Sequence, residues 1–133
     1  GGMLGKKLYL RVSDLYANNE KPKVLAGQSL KEVIVEMTAK RLGITAVVDP
    51  VNSLLGIITD GDLRRMLEKS VAIDTITAGD IMTRDPKTIG PDELAVDALD
   101  LLRKNEISQL VVIDSGKYSG IIHLHDLIRE GVI

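Results

Sequence analysis

Gly56-Ile57-Ile58-Thr59-Asp60-Gly61-Asp62-Leu63 decides the reading of this chain, because the chain carries the stretch twice. It returns as Gly120-Ile121-Ile122-His123-Leu124-His125-Asp126-Leu127, at an offset of 64 residues. Each version runs from a glycine and two β-branched residues, which favour a strand, to a polar residue and an acid, which favour a helix start. Extended outward, the offset lays residues 22–65 on 86–129 without a gap, and 12 of the 44 pairs are identical. A shorter echo precedes it, Val12-Ser13-Asp14-Leu15 against Ala78-Gly79-Asp80-Ile81. Repetition on this scale marks one supersecondary unit used twice. Two copies imply a pseudo-two-fold pair with related clefts.

Both copies read alike. A short helix opens each, with Ser13 or Gly79 near its cap, and an extended segment follows at 22–25 or 86–89. Next comes a helix. In the first copy Ser29-Leu30-Lys31-Glu32 is a capping box, and Leu30, Val33, Ile34 and Met37 form the apolar stripe. In the second copy Leu94, Ala98, Leu101 and Leu102 take that part. An apolar strand (45–48 or 110–113), a polar turn (49–53 or 114–117) and a returning strand (55–58 or 119–122) follow. The last helix starts near residues 60–62 or 125–126, and Gly56 and Gly120 read as turn exits at strand starts. The fold class is α/β, more strictly α+β, each copy a three-stranded sheet packed with helices. A copy alone is marginal in size, so pairing is expected to bury the second face of each sheet. The expected divisions are a linker at 1–9, a first repeat at 10–70 and a second at 71–133. The connection at 66–77 reads as helical, then extended.

Composition narrows the function. With 44% apolar residues the chain can build a core, but its aromatics are three tyrosines, so that core must be Val, Ile, Leu, Met and Ala. Seventeen basic and 19 acidic residues leave a net charge of −2, with no basic surplus for nucleic acid or an anionic membrane surface. Cysteine is absent, which removes disulfides, thiolate catalysis and Cys zinc sites and fits a cytoplasmic protein. The sequence shows no apolar run long enough to span a bilayer and no signal peptide. It also lacks a serine elbow and a Walker-type glycine loop, so no catalytic residue is assigned.

The repeated junction carries the chemistry. A helix start offers free N–H groups and partial positive charge, which suit a phosphate. A carboxylate beside it offers two oxygens, enough to hold a ribose diol. A single acid in a first turn is ordinarily a cap; recurrence of the whole octet points to a site. His123, His125 and Asp126 also invite a metal, but two or three ligands without cysteine are too few, and none is assigned.

The repeated Gly-Ile-Ile-x-x-x-Asp-Leu, with its preceding helix and strand pair, resembles the CBS domain, and two copies over residues 10–131 resemble a Bateman module. The resemblance implies a cytosolic sensor that binds adenosyl or other nucleotides in clefts between repeats. Carried onto this chain, it implies one site from Thr59, Asp60 and Asp62 with Lys87, Thr88 and residues 108–110, Ser108 among them. A second would use His123, His125 and Asp126 with Lys23, Val24 and residues 44–46, including Thr45. Arg64 and Arg65, one turn on, are candidate phosphate partners. His123 stands where the family more often has Thr or Ser, which implies a phosphate donor whose charge falls as pH rises.

Three longer stretches resemble the C-terminal region of the bacterial arabinose-5-phosphate isomerase family. They are Leu8-Tyr9-Leu10-Arg11-Val12-Ser13-Asp14, Thr59-Asp60-Gly61-Asp62-Leu63-Arg64-Arg65, and His123 onward to Val132. That resemblance implies a catalytic sugar-isomerase (SIS) domain N-terminal to the repeats and a place in making Kdo, a lipopolysaccharide sugar. It implies no required cofactor, an adenine nucleotide or CMP-Kdo as ligand, and a homodimer of repeat pairs within a tetramer. The alternative is an assembly module with no bound ligand.

Overall fold

Short-range signals place the elements. The computed structural model describes residues 8–69 and 72–133. Helix α1 is Val12–Tyr16, followed by strand β1, Lys23–Leu25. Helix α2, Leu30–Lys40, starts where the Ser29 hydroxyl accepts the Glu32 N–H at 3.2 Å. It stops where Arg41 turns left-handed (φ 62°) and returns its N–H to the Met37 carbonyl. Strands β2, Ile44–Val48, and β3, Leu54–Thr59, lead into helix α3, Asp60–Leu67. A single 3₁₀ turn, Ile73–Thr75, precedes helix α4, Ala78–Ile81. Then come β4, Thr88–Ile89, and α5, Ala95–Asn105. Strands β5, Gln109–Asp114, and β6, Lys117–His123, lead to α6, Leu124–Arg129.

The strands form two three-stranded sheets, in the orders β1-β2-β3 and β4-β5-β6. The repeat survives in the register: Val24 lies opposite Val47, and Thr88, 64 residues on, lies opposite Val111, both in parallel pairs. β2 and β3 run antiparallel, which sets Ile44 opposite Thr59. The mixed α/β architecture is thus the expected one.

The chain forms two compact units. One comprises residues 21–86 with 116–118; the other comprises 8–20, 87–115 and 119–133. In the first, Val24, Val33, Met37, Val47, Ile58 and Ala78 make the core. In the second, α1 contributes Val12, Leu15 and Tyr16 to a core with Leu99, Leu102, Leu110, Ile122 and Leu127. The units therefore do not follow a cut at residue 70. Each takes the short opening helix of the other sequence copy. Helices of four or five residues cannot stand alone, and backbone bonds fix them instead. Ala78 N–H reaches Gln28 O at 2.8 Å, and Gly79 N–H reaches Ala26 O at 2.9 Å. Likewise Val12 N–H reaches Glu93 O at 2.9 Å, and Leu10 O accepts from Ala95 at 2.7 Å.

Several local expectations need correction. The opening helices are capped at Arg11 and Thr77, not at Ser13 and Gly79, because the acid three residues past each cap (Asp14, Asp80) closes the box. Ile34 is 39% exposed and lies off the buried stripe, and Leu94 is a cap; Ala95 and Leu99 join the buried set in α5. The connection at 66–77 is helical to Leu67 and then contains the 3₁₀ turn; residues 70–71 lie outside the described residues. Of the linker assigned to 1–9, only Leu8 and Tyr9 are described.

Gly56 and Gly120 sit inside β3 and β6, not at strand starts. For Gly56 the reason is close approach. Residue 83 bridges onto β3, with Ile57 N–H to Thr83 O at 2.9 Å and Thr83 N–H to Ile57 O at 2.7 Å. A methyl group at Gly56 would lie 2.6 Å from that Thr83 carbonyl oxygen. Gly56→Ala is therefore expected to lose about 1–3 kcal/mol through overpacking. Gly27→Ala, with nothing within 4 Å, should stay within about 0.5 kcal/mol of the parent chain. Urea titrations of the two variants check this, and equal midpoints would contradict it.

Candidate functional site

In the unit built on β1-β2-β3, the site grows from one helix start. Thr59 is extended and caps α3: its hydroxyl accepts the Asp62 N–H at 3.2 Å, and its own N–H donates to Asp62 Oδ2 at 2.9 Å. The hydroxyl also lies 3.1 Å from Oδ2. Asp62 Oδ1 accepts from Arg65 Nη2 at 2.7 Å and from the Thr83 hydroxyl at 3.1 Å. A carboxylate has about four acceptor places, so both oxygens are in use. Asp62 is thus a cap and an ion-pair partner, not a free acceptor pair. Burial alone would push its pKa up, but the Thr59 backbone N–H, Arg65, Thr83 and the Thr59 hydroxyl together hold it below the usual carboxylate range. Arg65 is the loose member, with its side chain 68% exposed.

The unit built on β4-β5-β6 repeats the plan with other atoms. His123 N–H donates to Asp126 Oδ2 at 2.8 Å, and Arg129 Nη2 donates to Oδ1 at 3.0 Å. The third donor is Asn19, whose Nδ2 reaches Oδ2 at 2.8 Å and the Ile121 carbonyl at 3.1 Å. Asp126 is 3% exposed. The cap here is an imidazole: His123 Nδ1 accepts the His125 N–H at 3.0 Å, and the two rings lie 4.2 Å apart. Nδ1 therefore cannot donate to a phosphate while it caps. Burial, then the neighbouring His125, lowers the His123 pKa against the pull of Asp126. The expected phosphate-donating charge is disfavoured for the same reasons.

The other expected residues fall as follows. Thr45 is fully buried, its hydroxyl turned to the Ala46 carbonyl at 3.1 Å, so it presents no polar group to a ligand. Lys23 lines a concavity of about 250 Å³ with Asp49, Pro50 and Asn52. Asp60 lines another of about 280 Å³ with Arg41 and Leu63. Thr88 lines one of about 480 Å³ in its own unit, with Glu93 and Asp97. Lys87 and Ser108 are exposed, and the Ser108 carbonyl accepts the Leu124 N–H at 2.8 Å, which sets Ser108 beside the start of α6. The expectation paired Thr59 with Lys87 and His123 with Lys23. Each unit instead holds its own basic strand-end residue: Lys23 shares a sheet with Thr59, and Lys87 precedes β4 in the unit of His123.

Asn19, Thr83 and Arg129 were not expected at the site. Arg129 was within reach, since Arg65 and Arg129 are one of the identical pairs and each stands three residues past its acid. Nothing in the spacing marks Asn19 or Thr83. Among the described residues no group of three or more His, Asp or Glu is placed to hold a metal ion, and no helix is long and apolar enough to cross a membrane.

Comparison with known proteins follows the same lines. The CBS domain family model matches residues 12–69 and 78–132. The arabinose 5-phosphate isomerase KdsD of Yersinia pestis is 40% identical over 134 residues, covering 100% of this chain and 41% of that protein. The same enzyme of Pseudomonas aeruginosa is 42% identical over 135 residues, again covering 100% and 41%. The chain spans about two fifths of the length of these relatives. A CBS domain protein from Pyrobaculum aerophilum, solved complexed with AMP, has a TM-score of 0.80 at 18% identity and covers 93% of this chain and 100% of that one. CBSX2 in complex with AMP has a TM-score of 0.75 at 23% identity, covering 92% and 96%. At such identities the likeness is one of fold.

Two outcomes follow. Thr59→Ala should cost about 0.5–2 kcal/mol through loss of the cap. His123 adds a pH dependence. Its folded pKa lies below the ordinary 6.5, so the unfolded chain takes the proton first. The cap's contribution is complete above about pH 6.5 and is lost as pH falls through the folded value. His123→Thr, which copies position 59, should remove that acid-side loss. Melting temperatures of parent and variant from about pH 8 to about pH 5 must then diverge below the imidazole range; parallel curves would count against it.

Proposed function

Because this chain belongs to the CBS domain family, whose model covers most of its length, we propose that it is a regulatory module that binds a nucleotide or nucleotide sugar and tunes a sugar-phosphate isomerase domain of the same chain. The observation that carries the reading is the doubled junction: a buried or nearly buried carboxylate, clamped by an exposed arginine three residues on, at two helix starts 64 residues apart. A ribose diol needs paired acceptors and a phosphate needs a cation. An Asp–Arg pair supplies both when it opens, the carboxylate to the sugar and the guanidinium to the phosphate. Thr59, Asp62 and Arg65 with Lys23 are the binding set in one unit; His123, Asp126 and Arg129 with Lys87, Thr88 and Ser108 are the set in the other. Asp60 and His125 flank the two helix starts.

The AMP complexes of the two structural neighbours support an adenine nucleotide. The isomerase relatives support the finer reading, CMP-Kdo as an end product reporting on an early enzyme. In this reading the isomerase activity lies in the part of the relatives that this chain does not match, the protein is cytoplasmic, and its work feeds lipopolysaccharide synthesis. A second reading, assembly into a homodimer and tetramer, is favoured by one observation: Leu67 on α3 and Ile128 on α6 are 57% and 54% exposed.

Thermal melting with AMP, ATP, CMP and CMP-Kdo is the test. A ligand at about 100 times its Kd should add about 2.7 kcal/mol. Arg65→Ala should weaken whichever nucleotide binds its unit by about tenfold or more, the loss of one charge-assisted bond. A flat panel would remove the nucleotide reading. Mass measurement with and without ligand then decides whether assembly is the remaining role.

A further inference from the structure

Asn19 does something that no motif of the second repeat accounts for. It belongs by sequence to the first repeat, just past α1, yet its amide binds the carboxylate of the last helix, 107 residues away. From the geometry we infer that Asn19 is a positioning residue that couples the Asp126 carboxylate to helix α1, making α1 the output element of that site. This rests on the nucleotide reading above for the identity of the input.

The places on the carboxylate are unequal. Oδ2 accepts from the His123 N–H and from Asn19, both at 2.8 Å; Oδ1 accepts from Arg129 at 3.0 Å and has one place left. A diol held bidentately puts one hydroxyl on each oxygen. Oδ1 can take its hydroxyl without loss. Oδ2 cannot, because the His123 N–H is backbone at the helix cap and does not move independently. The hydroxyl must therefore replace Asn19.

Release of Asn19 reaches α1 directly. The same Nδ2 also holds the Ile121 carbonyl at 3.1 Å, so one side chain pins the turn after α1 to both β6 and α6. A second side-chain tie from α1 to β6 is the Tyr16 hydroxyl on Ser119 at 2.6 Å. The far end of α1 is held to residues 91–95 by backbone, through Leu10, Val12 and Ser13. The helix thus has a firm backbone anchor at its start and a polar, ligand-competitive one at its end. In the other unit the Thr83 hydroxyl gives Asp62 the corresponding bond, at 3.1 Å, but Thr83 is also bridged to β3 by its backbone. Loss of the hydroxyl bond there leaves the segment in place. The device is specific to Asn19.

Amide hydrogen exchange on the full chain tests it in two arms. In the first, without ligand, Asp126→Ala should speed exchange at residues 16–20 by about tenfold, the loss of a hydrogen bond to a charged group, whereas Asp62→Ala should leave those amides unchanged. Asn19→Ala should speed the same amides, and adding Asp126→Ala to it should do little more. Additive effects, or unchanged exchange in Asp126→Ala, overturn the coupling. Should Asp126→Ala not fold, Asn19→Ala against Asn19→Gln, read at the His125 and Asp126 amides, decides the same question: the Gln variant should partly restore protection, and identical exchange in the two overturns the coupling.

In the second arm AMP is added. Ordinary stabilisation slows exchange everywhere; displacement of Asn19 speeds it at residues 16–20 while the core slows. Asn19→Ala should still bind AMP, within about tenfold of the parent, but show no change at those amides. Uniform slowing in the parent chain overturns the output role. If AMP shifts neither melting nor exchange, the adenine nucleotide reading fails and takes the output role with it, while the first arm still decides whether Asn19 ties Asp126 to α1.

Discussion

A carboxylate folded back on the residue that caps its helix is the constraint on which both units turn. The first N–H groups of a helix have no partner within it and must find one. Asp62 and Asp126 satisfy the cap residue's own N–H, while Thr59 and His123 accept in return. The exchange holds a charged group where solvent hardly reaches: the Asp126 side chain is 5% exposed and that of Asp62 9%. An acid so placed stays ionised only because every oxygen is met by a donor. The strand's exit, the helix's direction and the arginine's perch all follow from that requirement.

It also sets how such a site works. No acceptor waits open for a ligand at Asp62; a ligand takes the place of a donor already there. Binding and local order are then linked, since whatever is displaced loses an anchor. The units differ in which anchor that is. A guanidinium, mostly in solvent, is cheap to move in either. A threonine hydroxyl backed by two backbone bonds holds one unit, and an asparagine amide holds the other. The caps differ too. Thr59 does not titrate near neutrality, whereas His123 caps through Nδ1, the atom a proton would occupy. Two copies of one design have thus acquired different sensitivities by changing two side chains.

Much of this was legible in the chain. The doubled octet, the Ser29–Glu32 box, the strand order and the final helix starts rest on interactions within about four residues or on simple periodicity, which residue order alone expresses. The family resemblance grew from the same octets. The departures have physical causes. Small polar residues suit a helix cap, which points to Ser13 and Gly79, but an acid three residues further on closes the box at Arg11 and Thr77. Gly56 reads as a turn residue; it is a strand residue kept small by a carbonyl from a distant segment. Thr45 reads as a binding group and is buried against its own strand.

Residue order by itself determined that there are two copies, where each helix begins, and that an acid and an arginine stand one turn apart at both junctions. These are matters of short loops and local hydrogen bonds. Only the tertiary structure decided that each opening helix joins the unit of the other copy, and that Asn19 and Thr83 complete the two carboxylates. Those pairings close loops of 107 and 21 residues. No local rule selects a partner across such distances; burial of the apolar faces of α1 and α4 brings the donors there, and the unsatisfied carboxylate oxygens hold them.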